Sequence, residues 1–421
     1  YYFAGDGVDA YSFKLTNLAI HMLNTGLVYW LAVLLMAQLR AVRGRAADSA
    51  DRWVPALATA LWALHPIQLT SVLYVVQRMN SLSALFVLGG SIAYIYGRRS
   101  ISANTIYSLS LMAAGLLLGL ALGVASKENA ALLPLFVALI EVIFFKRDDL
   151  DKDKQRKLWM FYALSVAFCF LALIWSIASG TIEKSYLGRE YTLTERLLTE
   201  SRIIWHYIGL VIVPDLEKFG LFHDDIALSS GLLTPWTTLP ALVSIIVIIL
   251  TAILLIRRQP IFSFAVLWFL VGHSMESGLI GLEIAHEHRN YLPSAGLILG
   301  ITYGLHAGFS SYRARLAPAI LGIVLIGTMA AVTHLRAQTW STEESIITQM
   351  AYHHPLSARS QYMLGIFKEE RLRDPDDALL HYRRAAELAP HEAGYILRMT
   401  VTASTSKSEL NDVVASHIAN S

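Results

Sequence analysis

A single cysteine, Cys169, excludes an internal disulfide, and without a second thiol it also excludes a cysteine-built zinc site. It sits inside an apolar run and reads as a small lipid- or core-facing residue. Charge is scarce too. Asp, Glu, Lys and Arg supply 16% of the chain, where a soluble domain carries about 25%. The net charge of +2 leaves no footprint for nucleic acid. Apolar–polar alternation at period two is missing, so strands do not compete with helices. No signal peptide or tag opens the chain: YYFAGDGVDAYSF reads as the inside of a loop, with more sequence expected upstream.

What the chain has is hydrocarbon. Hydrophobic residues make up 55% of it. A membrane-spanning helix takes ~20 mostly apolar residues, and about ten runs approach that length. They cover roughly 13–39, 53–72, 79–97, 106–125, 130–145, 158–178, 236–256, 261–281, 294–310 and 317–335. The expected fold is all-α, a polytopic membrane bundle.

Arg and Lys mark cytoplasmic loops. RAVRGRAADSADR, GRRS, KRDDLDKDKQRK, IRRQP and YRARLAP follow every second run. The alternate loops then face outward: HPIQLTSVLYVVQRMN, SKEN, the long segment 179–235, HEHRNYLP, and everything after 336. Within the long segment, TLTERLLTESRIIWHYIGLVIV has helical periodicity and a cap at Thr192 or Thr194 ahead of Glu195, so it predicts an interfacial or re-entrant helix. PDLEKFGLFHDDIALSSGLLTPW, punctuated by Pro214, Gly220 and Gly231, reads as loop. Residues 1–335 thus form a membrane domain and 336–421 an outer, soluble one. That tail carries SQYMLGIFKEERLRDPDDALLHYRRAAELAP, with Ala378, Tyr382, Ala385 and Pro390 spaced as in a tetratricopeptide repeat and one extra residue between its helices.

Four outer stretches carry polar side chains next to hydrocarbon, where charge is costly and marks candidate sites. The first holds His65, Gln77, Arg78 and Asn80, the second Lys127 and Glu128. The third holds Glu200, Arg202 and His206, the fourth His286, Glu287, His288, Arg289 and Tyr291. Taken singly they have ordinary readings. Arg78 and Lys127 can snorkel to headgroups, Glu128 can pair with Lys127, and Tyr291 can anchor at the interface. Together they place cations on the face that topology depletes of them, which points to an anionic ligand. Arg supplies a planar fork and Lys a compact charge, a pairing suited to phosphate. HEH is a weak metal motif: His286 and His288 diverge on a helix, and Asn290 stands where the H-E-x-x-H signature needs its second histidine.

HPIQLTSVLYVVQRMNSLSALF, ASKENAALLPLFVALIE and HEHRNYLPSAGL, in this order and followed by a tetratricopeptide segment, resemble bacterial relatives of the transmembrane-and-tetratricopeptide-repeat O-mannosyltransferases. These are membrane glycosyltransferases of the GT-C class. YSFKLTNLAIHMLN, with Asn17, His21 and Asn24, is similar to that family's second membrane helix. The resemblance implies a GT-C bundle of about 11 spans, one of them upstream of Tyr1, in a bacterial inner membrane with site and C-terminus periplasmic. It implies a polyprenyl-phosphate or -diphosphate sugar donor and a protein acceptor held near the repeat. It calls for no certain cofactor beyond that donor. The family's catalytic aspartate lies in the first outer loop, expected upstream of Tyr1; Asp6 and Asp9 do not match it. The donor phosphate would meet Arg78, Lys127, Arg289, His288 and His65. Glu128, Glu287, His286, Tyr291, Gln77 and Arg202 would support them. The competing readings are a ligase or polymerase of the O-antigen type, a scaffold recruiting partners through its repeat, and a transporter. The last is disfavoured because the polar residues gather at one face instead of the midplane.

Overall fold

The computed structural model describes residues 10–44, 46, 50–146, 150–309 and 317–405. Asp6 and Asp9, parts of the basic loops and the side chain of Cys169 fall outside them. The described residues are helical, with one isolated bridge, Gly231–Thr234, and no strand. Two compact units form. The first comprises 1–214, 229–282 and 287–333; the second comprises 215–228, 283–286 and 334–421.

In the first unit the helices are α1 (Ala10–Arg43), α2 (Ala50–Ala63), α3 (Leu69–Leu73), α4 (Arg78–Ser100), α5 (Thr105–Ser126), α6 (Leu133–Phe144), α7 (Lys152–Ala178), α8 (Thr181–Lys184), α9 (Leu193–Ile212), α10 (Thr238–Leu254), α11 (Pro260–His273), α12 (Pro293–Phe309) and, as far as Thr333, α13 (Ala317–Thr339). By length and composition α1, α4 with its leading turn, α5 and α13 are long and apolar enough to cross a membrane. The α2 and α3 segments make a fifth candidate if counted as one span bent by 52°. The bend falls at His65–Pro66, where proline supplies no N–H and the His65 ring instead accepts from Ile67 N at 3.1 Å. Several of the other apolar runs give helices of 12 to 17 residues, shorter than the runs themselves. α6 keeps only 12 residues because 128–132 winds as a 3-10 turn. α11 stops at His273 after 14 residues, about 21 Å against a hydrocarbon core of ~30 Å.

Large apolar side chains face outward along these helices, among them Leu117 on α5, Leu164 and Trp175 on α7, Leu254 on α10 and Ile323 on α13. Inward, Trp268 packs on Phe136 with ring centroids 4.2 Å apart. α4 and α5 approach closely along glycines. A Cβ on Gly119 would sit 2.6 Å from Leu133 Cδ2 and 3.1 Å from Phe86 O, and one on Gly115 2.7 Å from Ala93 Cβ. Near the far end of α4, Arg98 and Glu141 form a buried pair, Nε lying 3.1 Å from Oε1. The cap expected for α9 is present: Thr192 and Glu195 form a capping box.

The second unit contains α14 (Glu343–His353), α15 (Ala358–Glu370), α16 (Pro375–Leu388) and α17 (Ala393–Thr405). Each of the first three starts on a side-chain cap, from Thr342, Ser357 and Asp374. Ala378, Tyr382 and Ala386 form a core with Met399 and Ala403. The Tyr382 ring fills the space over Gly365. Between α15 and α16, Arg373 takes a left-handed backbone, φ 55°.

Candidate functional site

Helix α5 ends in LGVASKEN. Lys127 leaves the helix with extended backbone, φ −159° and ψ 140°, while its N–H still bonds Gly123 O at 2.8 Å. That turn sends the Lys127 side chain inward and leaves Glu128 exposed. Lys127 therefore does not pair with Glu128, nor does it snorkel. Its ammonium contacts Glu276, and it donates to Asn80 Oδ1 at 3.2 Å. Asn80 in turn donates to the His288 carbonyl at 2.7 Å.

Glu276 lies in the loop just beyond α11. Its backbone carbonyl accepts from Arg196 Nη2 at 2.6 Å. Arg196 sits one helical turn before Glu200 on α9, and Nη2 also lies 3.0 Å from Glu200 Oε1. Arg289 approaches the same oxygen at 3.8 Å. Lys127, Glu276, Arg196, Glu200 and Arg289 thus form one continuous network, each residue exposed by 5% or less. Three stretches far apart in sequence supply it: Lys127 after α5, Arg196 and Glu200 on α9, and residues 276–289. Arg289 and Asn290 come from the 3-10 turn Glu287–Asn290, and Asn290 Oδ1 faces His273 Nε2 at 3.2 Å. Arg289 and Asn80 line a cavity of about 10 Å³, room for about one water. The network is closed, with its cations held by internal carboxylates.

The two carboxylates differ. Burial pushes Glu200 up to about 7, against the pull of Arg289 and Arg196. Burial also works to raise Glu276, but Lys127 and Arg289 hold it below the usual carboxylate value. Environments that separate two neighbouring carboxylates in this way commonly mark different proton duties.

The other expected residues have partners of their own. Arg78 Nε donates to Asn17 Oδ1 at 2.7 Å and Nη2 to Phe13 O at 3.0 Å, so Arg78 is held by α1. Tyr291 is buried, 1% exposed, and so is no interfacial anchor. His21 Nε2 faces the Ala63 carbonyl at 3.1 Å and must donate there, so Nδ1 accepts from the Tyr291 hydroxyl at 2.8 Å. Asn24 donates to the same hydroxyl at 3.1 Å. Asn17, His21 and Asn24 of α1 therefore hold the first and fourth of the polar stretches. His65 Nε2 bonds Val211 O at 3.0 Å, and Arg202 bonds Ser229 Oγ at 3.3 Å. Gln77 and Glu287 are buried; His286 and His288 are half-buried.

Arg196 and Glu276 belong to the network although sequence reasoning passed over them. Arg196 carries a signal in its i,i+4 spacing to Glu200. Glu276 is the one acidic residue in FAVLWFLVGHSMESGLIG, where a lone charge among apolar residues is the mark of a partner. Comparison with protein-family models, curated proteins and solved structures finds no match.

Proposed function

We propose that the chain is a GT-C type glycosyltransferase moving a sugar from a polyprenyl-phosphate or -diphosphate donor to a protein acceptor on the outer face of the membrane. The observation that carries this reading is the buried network of Lys127, Arg196 and Arg289 with Glu200 and Glu276. In such a transfer the acceptor oxygen attacks the anomeric carbon, and the donor phosphate departs with the electron pair of the broken C–O bond. Preorganised cations in a water-poor site stabilise that departing charge best. Lys127 and Arg289 take this role, and the carboxylates hold them in place until the phosphate arrives. Glu200 is suited to yield its place, because a carboxyl with a pKa of about 7 leaves as the neutral acid at little cost. The α15–α16 helix pair, similar to a tetratricopeptide repeat, supplies the surface for the acceptor.

The test is transfer from a polyprenyl-phosphate sugar by the intact protein in proteoliposomes. Arg289→Gln should slow transfer by about a hundred- to thousandfold, the usual effect of removing one transition-state charge contact. Arg289→Lys should fall between, keeping charge but losing the fork. Arg78→Ala, which removes a guanidinium bound to α1, should change the rate by less than about tenfold. Rates near wild type for folded Arg289→Gln would overturn the assignment.

A further inference from the structure

The second unit holds a cluster that sugar transfer does not use. Its loop LFHDDIAL, residues 221–228, lies beside the α14–α15 junction. Asp224 fastens the loop there: one carboxylate oxygen accepts from Ser357 Oγ at 2.5 Å, the other from Arg359 N at 3.1 Å. This presents the flanking residues, His223 and Asp225, to His354, the residue that ends α14. Gly220 leaves the room; a Cβ there would sit 2.8 Å from His354 Nε2.

The His354 ring poses a bookkeeping problem. Nδ1 lies 2.8 Å from Asp225 Oδ2, and Nε2 lies 3.3 Å from the Phe219 carbonyl. Both neighbours are acceptors, and a neutral imidazole has one N–H to offer. The other Asp225 oxygen, Oδ1, is buried with no hydrogen-bond partner. The His223 ring stands edge-on to His354 with centroids 5.3 Å apart. A surplus of acceptors around one point is what a cation satisfies.

We infer that His223, Asp225 and His354 form a site for a divalent transition-metal ion, with Zn2+ the best match. One ligand atom from each residue lies within 4.8 Å of the others. Zinc bonds of ~2.0–2.2 Å put tetrahedral ligand atoms about 3.3 Å apart, so small side-chain rotations close the set. Two imidazoles and one carboxylate suit zinc over calcium or magnesium, which prefer all-oxygen shells. Three protein ligands leave a fourth position for water. The ion ties the 215–228 loop to the end of α14, and it does so whether or not the first unit transfers sugar. His286 and His288 take no part in it.

The experiment uses the intact, tag-free protein in detergent, stripped with chelator and then titrated with Zn2+ by calorimetry. One zinc per chain should bind saturably and raise the melting temperature. Asp225→Asn keeps the side-chain volume, and His223→Gln keeps a polar group; each should weaken binding by at least about a hundredfold and abolish the thermal shift. Co2+ in place of zinc should give d–d absorption in the wild type and not in the variants. If the cluster is only an imidazolium–carboxylate pair, the wild type shows no saturable zinc, and the inference falls. Saturable zinc that all the variants retain would place the ion elsewhere and overturn it equally.

Discussion

Glu200 keeps its proton up to about pH 7 although Arg196 and Arg289 both face it, because burial outweighs them. Its folded pKa is raised above the ordinary 4.5. The stability it contributes is therefore complete below about pH 4.5 and lost as pH rises through about 7. The same sign would govern the proposed donor: a phosphate settling on Arg289 would raise the Glu200 pKa further, so binding would take up a proton when the pH stands near or above 7. Calorimetry of polyprenyl phosphate binding in buffers of different ionisation enthalpy should show proton uptake at pH 7.5, with affinity falling at higher pH. Glu200→Gln should flatten the pH dependence and remove the uptake. A wild type that binds with no proton exchange would remove Glu200 from the exchange. Arg289 and Lys127 stood out in sequence because they interrupt apolar runs at loops expected to face outward. Glu200 was legible as a candidate, but its pairing with Arg289, 89 residues away, and that of Glu276 with Lys127, 149 residues away, were not, because packing that no local pattern encodes sets them. Glu128 was the local choice for Lys127, and the extended backbone at 127 rules it out.

At the scale of elements, α4 and α5 are joined by absent side chains. Gly115, Gly119 and Gly123 recur every four residues on α5, one face of a helix, and all three are places where a Cβ would meet the packed neighbours within 2.7 Å. Without a hydrophobic drive between helices in lipid, such close approach is a main source of their association. Gly119→Val must push against the Phe86 carbonyl, which is backbone and cannot rotate away. The expected loss is about 1–3 kcal/mol, read as a lower melting temperature in detergent. Gly89→Ala is the control: nothing lies within 4 Å of a Cβ there, so it should cost nothing and can gain up to about 1 kcal/mol of helix propensity. Equal melting temperatures for the two variants would dismiss the seam. Helix identity was legible because apolar runs and caps are local, as at Thr192 and Glu195. Helix length was not. Hydropathy continues through 53–72 and 261–281, whereas the backbone breaks at Pro66 and ends at His273, where polar side chains take up buried partners.

At the scale of the whole molecule, chain direction links the network to the basic loops. α4 runs away from Arg78, the short turn after Ser100 returns the chain along α5, and Lys127 closes the hairpin at the end where α4 began. Arg98 and Arg99 of GRRS fall at the opposite end of this hairpin, where Arg98 also donates to the carbonyl of Lys146, the first residue of the KRDDLDKDKQRK loop. If positive residues stay in the cytoplasm, Lys127 and its network face outward, where a lipid-linked sugar donor would be used. This can be read with three single cysteines in a Cys169→Ser background. Glu128→Cys sits exposed next to the network, Asp153→Cys lies on the first turn of α7 within the basic loop, and Glu392→Cys reports the second unit. An impermeant thiol reagent on intact cells should label positions 128 and 392 and reach 153 only after permeabilisation. Labelling of 153 alone would turn the network to the cytoplasm, where it would keep its chemistry but lose the outer-leaflet donor. Labelling of 128 without 392 would separate the network from the unit proposed to hold the acceptor. That outcome would leave lipid or glycan as the acceptor, and the ligase reading would then replace transfer to protein.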